Sequence, residues 1–331
     1  MKLIIPMAGR GTRLRPHSNT TPKPLLPVAG TMIVERIIQT FSKTLDRTID
    51  EIVFVLGDFG DEIRQKLADM AERNNAKASF TRQDEALGTA HAVYCAEQYL
   101  DGEVIVVFAD TLFDTDGKVT VDDADCVIWL KEVEDPSRFG VALHEGEKIT
   151  GFVEKPSEPI SRMAIIGVYY FKDGAALRSE IKYLLNNEIT GHGREYQLTD
   201  AIDRLLKAGN VFKAATVDEW LDCGTIPAWL ETTSVILEKE KHKVMGDVSG
   251  SEIIEPVYIP EGVVVRNSRV GPHVSLEKGT EVNNSTLGYT IVQDNARIDG
   301  SELMNSSIGS FAQVKGFKGS AHLGDHSEIE G

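Results

Sequence analysis

Cysteine is scarce in this sequence. Cys95, Cys126 and Cys223 lie far apart and form no C-x-x-C pair. Neither a disulfide framework nor thiolate spacing for a metal is on offer, so a reducing cytoplasm is the expected setting. Long apolar runs are missing too, and none approaches the roughly 18 residues of a membrane helix. Leu3 to Ala8 is too short for a secretion signal and gives way at once to Gly9 and Arg10. No membrane partner is expected. Basic charge is in deficit: Lys+Arg number 35 against 51 Asp+Glu, a net charge of −16. A general nucleic-acid binder needs a basic face, so nucleic acid is not an expected partner. A small anion can still be met by a local cluster of cations. Two phosphate-binding signatures are absent: there is no G-x-x-x-x-G-K-[ST] and no G-x-G-x-x-G.

What is present is ordinary globular usage, 41% hydrophobic and 26% charged over 331 residues, enough for two domains at roughly 150 residues each. The first part alternates apolar runs with helical spacing. Strands are expected at Lys2–Met7, Glu51–Leu56, Lys77–Gln83 and Glu103–Ala109. A helix carries Ile33, Ile37, Phe41 and Leu45, with Thr31 as its N-cap. Asp58 is a candidate cap for a helix carrying Ile63, Leu67 and Met70, and Thr89–Gln98 reads as another helix. This alternation gives an α/β fold on a mainly parallel sheet. After Asp110 strands dominate: Asp125–Leu130, Gly140–His144, Lys148–Glu154 and Ala164–Phe171. Helices return at Gly174–Leu185 and Gln197–Leu206, then a strand at Val211–Thr216, the segment Trp220–Thr225, and a helix from Ala228 to about Lys241.

From Val244 on, apolar residues recur every six. Val264, Val270, Leu276 and Val282 lead the series; Val292, Ile298 and Met304, then Ile308 and Val314, then Leu323 and Ile329 continue it. Glycine and asparagine fill the gaps. That period reads as a parallel β-helix of roughly five coils, with an antiparallel β-domain as the alternative. The four leading residues are expected to stack in one inward column. The domains are therefore 1–243 and 244–331, and Glu330-Gly331 falls in mid-pattern.

The sharpest local feature is Pro6-Met7-Ala8-Gly9-Arg10-Gly11-Thr12-Arg13-Leu14-Arg15-Pro16, followed by Pro22-Lys23-Pro24. A glycine loop after the first strand lets backbone N–H groups approach phosphate oxygens. Arg10, Arg13, Arg15 and Lys23 add four cations in fourteen residues, which calls for an anionic ligand. The flanking prolines are expected to hold Lys23 in an extended segment.

These stretches resemble the signature of the sugar-1-phosphate nucleotidylyltransferases. The match runs on in the family's order through Gln83-Asp84-Glu85-Ala86-Leu87-Gly88-Thr89-Ala90, Val106-Val107-Phe108-Ala109-Asp110, Phe139-Gly140-Val141, Phe152-Val153-Glu154-Lys155-Pro156 and Trp220-Leu221-Asp222-Cys223-Gly224-Thr225. The resemblance covers residues 3 to 225. It implies a Rossmann-like nucleotidyltransferase domain with a mainly parallel mixed sheet and, for the hexads, a short left-handed parallel β-helix. The activity it implies is in-line attack by a sugar 1-phosphate on the α-phosphorus of an NTP, with pyrophosphate leaving. Glucose 1-phosphate is the expected sugar and dTTP or UTP the donor, with a lean to dTTP.

The resemblance also distributes roles. Arg13, Lys23, Asp110 and Lys155 would be catalytic. Ala8, Gly9, Gly11, Thr12, Gln83, Gly88 and Thr89 would bind nucleotide. Gly140, Glu154, Lys155 and Glu195 would bind the sugar phosphate. Asp110 and Asp222 would hold Mg²⁺, a hard cation suited to carboxylate and phosphate oxygens. His91 is expected on a helix near the site, and Tyr169 and Tyr170 in the core.

Two residues depart from the family pattern. Ile166 stands where Asn or Thr is usual, and cannot hydrogen-bond a sugar; Ala109 replaces a commoner glycine. Three alternatives remain: a GTP-dependent mannose-1-phosphate guanylyltransferase, a silent nucleotide-sugar-binding regulator, and a second, acyl-transferring activity in the hexads drawing on His273, His322 or His326. The hexads are expected to pack on the catalytic part or on a second copy in a homo-oligomer, and to contribute no group to nucleotidyl transfer.

Overall fold

The computed structural model describes residues 1–9, 11–115, 117–158, 160–240 and 243–331. Arg10 and the expected helix end at Lys241 lie outside them. The chain falls into two compact units. The first holds Met1–Gly9 and Glu35–Trp220; the second holds Arg10–Val34 and Leu221–Gly331. The glycine-arginine loop thus groups with the carboxy-terminal strands.

The first unit is built on a nine-stranded sheet. Its strands are β1 (Lys2–Pro6), β2 (Glu51–Leu56), β3 (Lys77–Arg82), β4 (Val104–Val107), β5 (Cys126–Glu132), β6 (Gly140–Glu145), β7 (Lys148–Glu154), β8 (Met163–Phe171) and β9 (Phe212–Thr216). They lie in the order β3-β2-β1-β4-β8-β5-β9-β7-β6. The first four are parallel, as expected. β4 is apolar throughout, and β1 from Leu3 on, because they are central and buried on both faces. The later strands make the sheet mixed rather than mainly parallel. β8 runs antiparallel to β4 and β5, and β7 antiparallel to β6. Only Gly146 and Glu147 separate β6 from β7, a link too short for a parallel crossover.

Among the described residues six α-helices follow the expected order: α1 (Ile33–Thr44), α2 (Gly60–Arg73), α3 (Thr89–Tyr94), α4 (Gly174–Asn186), α5 (Leu198–Lys207) and α6 (Ile226–Glu240). Leu198, Ala201, Ile202 and Leu205 form the buried stripe of α5. Each large apolar side chain so buried is worth about 1.5–3 kcal/mol. Two expected caps are absent. Thr31 lies in a short strand, Thr31–Met32, paired with Pro27–Val28. Phe59, not Asp58, precedes α2, with no side-chain cap. α3 is also shorter than expected and passes into a 3₁₀ turn at Glu97–Tyr99. Tyr169 and Tyr170 are in the core.

In the second unit the strands from Lys243 on form two parallel stacks, one of six strands and one of nine. Asp247, Val264, Glu281, Arg297, Gln313 and Glu328 are successive partners. The vertical repeat is therefore 15–17 residues, one full coil. This corrects the inward column. Residues six apart step to the next face of the same coil, because one hexad makes one face. The columns are Val265, Val282, Ile298 and Val314 on one face, Val270, Leu287 and Leu303 on the next, and Leu276, Val292 and Ile308 on the third. All ten are buried. Val264 is only half-buried and Met304 is exposed; Val265 and Leu303 take the inward places.

Corners between faces need left-handed backbone, which explains the asparagines and glycines. Asn267, Asn284 and Gly300 form one positive-φ column, Gly279, Asn295 and Phe311 a second, and His273, Tyr289 and Asn305 a third.

Candidate active site

In the first unit a polar cluster sits where β7 ends. Glu154 Oε2 accepts a hydrogen bond from Thr199 Oγ1, in the first turn of α5, at 2.7 Å. Gly140 is its partner across β6 and β7. A Cβ on Gly140 would lie 2.9 Å from Glu154 Oε2 and 3.4 Å from Thr199 Oγ1, so the carboxylate fills space that only glycine leaves. Lys155 follows at φ 43°, an unfavourable conformation for a side-chain-bearing residue, of the kind that collects at functional sites. Its N–H donates to Phe139 O at 3.0 Å, and its Nζ lies 4.0 Å from Glu154 Oε1. A carboxylate acceptor and a cation thus stand side by side.

Thr199 and Asp200 were missed in the sequence. A Thr-Asp pair opening an amphipathic helix looks like ordinary capping, so no signal pointed to them. Asp200 Oδ2 is buried with no hydrogen-bond partner among the described residues. Burial pushes its carboxyl upward from the usual range, and the charges of Glu154 and Asp203 add to that.

The segment 83–89 is tied to 195–198. Gly88, at φ 119°, passes so close to Tyr196 that a Cβ would meet its carbonyl oxygen at 2.5 Å. Ala90 N–H donates to that oxygen, and Tyr196 N–H to Leu87 O. Thr89 Oγ1 accepts from Leu198 N–H at 2.9 Å and donates to Gln197 Oε1 at 3.2 Å. Gln197 Nε2 reaches Glu195 Oε2 at 3.4 Å. The structure therefore joins Gly88, Thr89 and Glu195. Gln83 Nε2 lies 3.2 Å from His91 Nδ1 on α3. An amide nitrogen only donates, so Nδ1 is the acceptor. Burial lowers the pKa of His91, with Glu85 opposing, which favours the neutral ring.

Asp110 follows β4 by three residues, and Ala109 before it is buried. Thr111 Oγ1 then donates to Ile166 O at 2.7 Å. The Ile166 side chain is itself in the core and presents no polar group. Ala8 and Gly9 end the first segment of this unit after β1, and a Cβ on Gly9 would meet nothing within 4 Å among the described residues beyond its chain neighbours.

The second unit contributes the loop. Gly11 is left-handed and caps the 3₁₀ turn Thr12–Leu14, whose Leu14 is fully buried while Thr12 and Arg13 are exposed. Ser18 Oγ donates to Gly11 O at 2.7 Å. Lys23 is not extended: after a 3₁₀ turn at His17–Asn19 it opens a third, Lys23–Leu25, closed by Leu26 N–H to Lys23 O. Burial of Pro24 and Leu25 carries Lys23 inward to 9% exposure. Asp222 is exposed at the end of the strand Glu219–Asp222. Its Oδ1 accepts from Gly224 N–H at 2.7 Å, and α6 holds its carbonyl through Thr232 Oγ1 at 2.9 Å. A Cβ on Gly224 would lie 2.8 Å from Asp222 Oδ1 and 3.3 Å from Arg13 Nη2. Carboxylate and guanidinium close on one glycine.

Comparison with known proteins places this geometry. Residues 2–239 match the nucleotidyl transferase family. The whole chain is 30% identical to a glucose-1-phosphate thymidylyltransferase of Streptomyces antibioticus, covering 99% of that protein. It is 29% identical to the bifunctional protein GlmU of Methanococcus aeolicus over 93% of this chain and 77% of the relative. A UDP-glucose pyrophosphorylase crystallised with UDP-glucose shares the fold at a TM-score of 0.58 and 22% identity, over 72% of this chain and 98% of the other. No described helix is long and apolar enough to cross a membrane.

Proposed function

Because the chain belongs to the nucleotidyl transferase family, and is a nucleotidyltransferase of the sugar-1-phosphate type, we propose that it joins glucose 1-phosphate to the nucleotidyl group of dTTP or UTP, with dTTP preferred. The observation that carries the sugar half is the Glu154 carboxylate, fixed by Thr199 over Gly140 with Lys155 beside it. The carboxylate accepts from sugar hydroxyls, and Lys155 neutralises the 1-phosphate. The sugar-phosphate oxygen is already an anion, so it attacks the α-phosphorus with no general base, and the bond to pyrophosphate breaks. Two polyanions must be held in line, which makes the work one of positioning and charge. Arg13 and Lys23 neutralise the NTP phosphates, the backbone of Ala8, Gly9, Gly11 and Thr12 lies along them, and Gln83 meets the base edge. Glu195, joined to Gly88 through the 195–198 segment, contacts the sugar.

Asp110 and Asp222 are the ligands we propose for Mg²⁺. Both donors are hard carboxylate oxygens, and Asp222 is exposed with its Oδ1 oriented by Gly224 N–H. No group of three or more His, Cys, Asp or Glu suited to a metal occurs among the described residues. One or two carboxylates completed by substrate phosphates is the usual magnesium arrangement. The bound ion would supply neutralisation of the charge that builds on the phosphates. The strands from 244 to 331 we read as a left-handed parallel β-helix outside the transfer chemistry.

A panel of nucleoside triphosphates against sugar 1-phosphates, read by pyrophosphate release, tests the reading. The highest kcat/KM is expected for dTTP with glucose 1-phosphate. Turnover confined to GTP with mannose 1-phosphate would replace it with the guanylyl alternative. No turnover with any pair would leave a regulator.

A further inference from the structure

The loop that carries Arg13 and Lys23 is gripped by residues nearly three hundred positions away. His17 is completely buried. Its Nε2 lies 2.7 Å from Ser307 Oγ and its Nδ1 2.8 Å from Gln293 Nε2. Ser307 Oγ in turn lies 2.9 Å from His322 Nδ1. The donors run in one direction. Gln293 can only donate from its amide nitrogen, so His17 Nδ1 accepts. His17 Nε2–H then donates to Ser307, whose hydroxyl donates to His322 Nδ1. Trp229 of α6 packs edge-on against the His17 ring at 5.2 Å. Two further contacts flank this chain. Thr20 Oγ1 donates to Asp325 Oδ2 at 2.6 Å, and Gly324 leaves room for Pro16, whose Cβ a substituent would meet at 3.0 Å.

We propose that the carboxy-terminal strands position the nucleotide-phosphate loop through His17, making Gln293, Ser307 and His322 positioning residues for the NTP. The inference rests on the reading of Arg13 and Lys23 as cations for the NTP phosphates. Arg13 sits between Gly11 and His17, and Lys23 is six residues beyond His17, in turns too short to be ordered by helix hydrogen bonding alone. Fixing His17 fixes where both cations can point. The grip requires a neutral ring, because a proton on Nδ1 would face the Gln293 N–H. Burial pushes the His17 pKa down to about 4, helped by the charge of His322 and opposed by Asp325. The hexads therefore serve the transfer without supplying a reacting group.

The test compares KM for NTP with KM for sugar 1-phosphate in the full-length chain. His17→Phe, which removes both hydrogen bonds, should raise KM for NTP about tenfold, the order expected for a lost buried hydrogen bond, and leave KM for the sugar phosphate within about twofold. His17→Gln keeps one acceptor and one donor and should restore most of the loss. Gln293→Leu should reproduce the effect and add little to His17→Phe, since both cut one network. If His17→Phe does not fold, Gln293→Leu carries the test. Equal changes in both KM values, or lowered thermal stability with unchanged kinetics, would overturn the proposal. Arg13→Ala is the control. If it leaves KM for NTP unchanged, the phosphate reading fails and the inference with it. If it raises that KM while the His17 and Gln293 variants do not, only the inference fails.

Discussion

Two polar clusters, one in each compact unit, are ordered in different ways. Around Glu154 the partners come from neighbouring strands and the first turn of one helix: Gly140, Lys155 and Thr199. A rigid sheet presents them, and their order is inherited from a core of fully buried residues such as Val104 and Ile149. The Gly11–Lys23 loop has only 3₁₀ turns of its own, and its long-range anchor is 290 residues away at Ser307. The lesson is that a side chain can be placed by its own element or by a remote one. The second way ties the order of the loop to the integrity of the carboxy-terminal strands.

The comparison breaks most sharply at the metal, where both units should matter alike. Asp110→Asn and Asp222→Asn should each lower turnover about a hundred- to thousandfold, as losses of charge stabilisation at a transition state do. Melting should change little, since a strand-end carboxylate is not core. Near-normal rates in the Asp110→Asn enzyme with EDTA present would remove Asp110 from the metal.

Acid should separate the halves. The pKa of His17 is lowered in the folded state to about 4 from an ordinary 6.5, so between these values the unfolded chain binds more protons. The stabilisation is therefore complete above about pH 6.5 and is lost as pH falls toward 4, by about 3 kcal/mol in all. Denaturant unfolding across that window checks it. The native chain should lose stability with falling pH more steeply than His17→Gln, and equal slopes would show that His17 does not stay neutral.

Much of this was legible beforehand. The order of strands and helices, the placement of Glu154 and Lys155 at the end of one strand, and that of Asp110 shortly after another follow from apolar periodicity and local motifs. Pairwise geometry was not legible. Thr31 has a cap's chemistry, yet strand pairing with Val28 claims it. Lys23 between prolines reads as extended, yet burial of Pro24 and Leu25 turns it inward. The hexad period marks faces rather than columns, and only the coil length shows which residues stack. His17 carried no signal, because its partners Gln293 and Ser307 have no fixed spacing from it.

The most direct measurement is a pair of steady-state matrices, each varying both substrates, for Lys155→Ala and Arg13→Ala. The sheet half should serve the sugar phosphate and the loop half the NTP. Lys155→Ala is then expected to raise KM for the sugar 1-phosphate roughly tenfold or more and to spare KM for the NTP, with Arg13→Ala doing the reverse. The same change in both constants for both variants would contradict the proposed assignment of the sugar phosphate to the sheet-borne cluster and of the NTP to the loop.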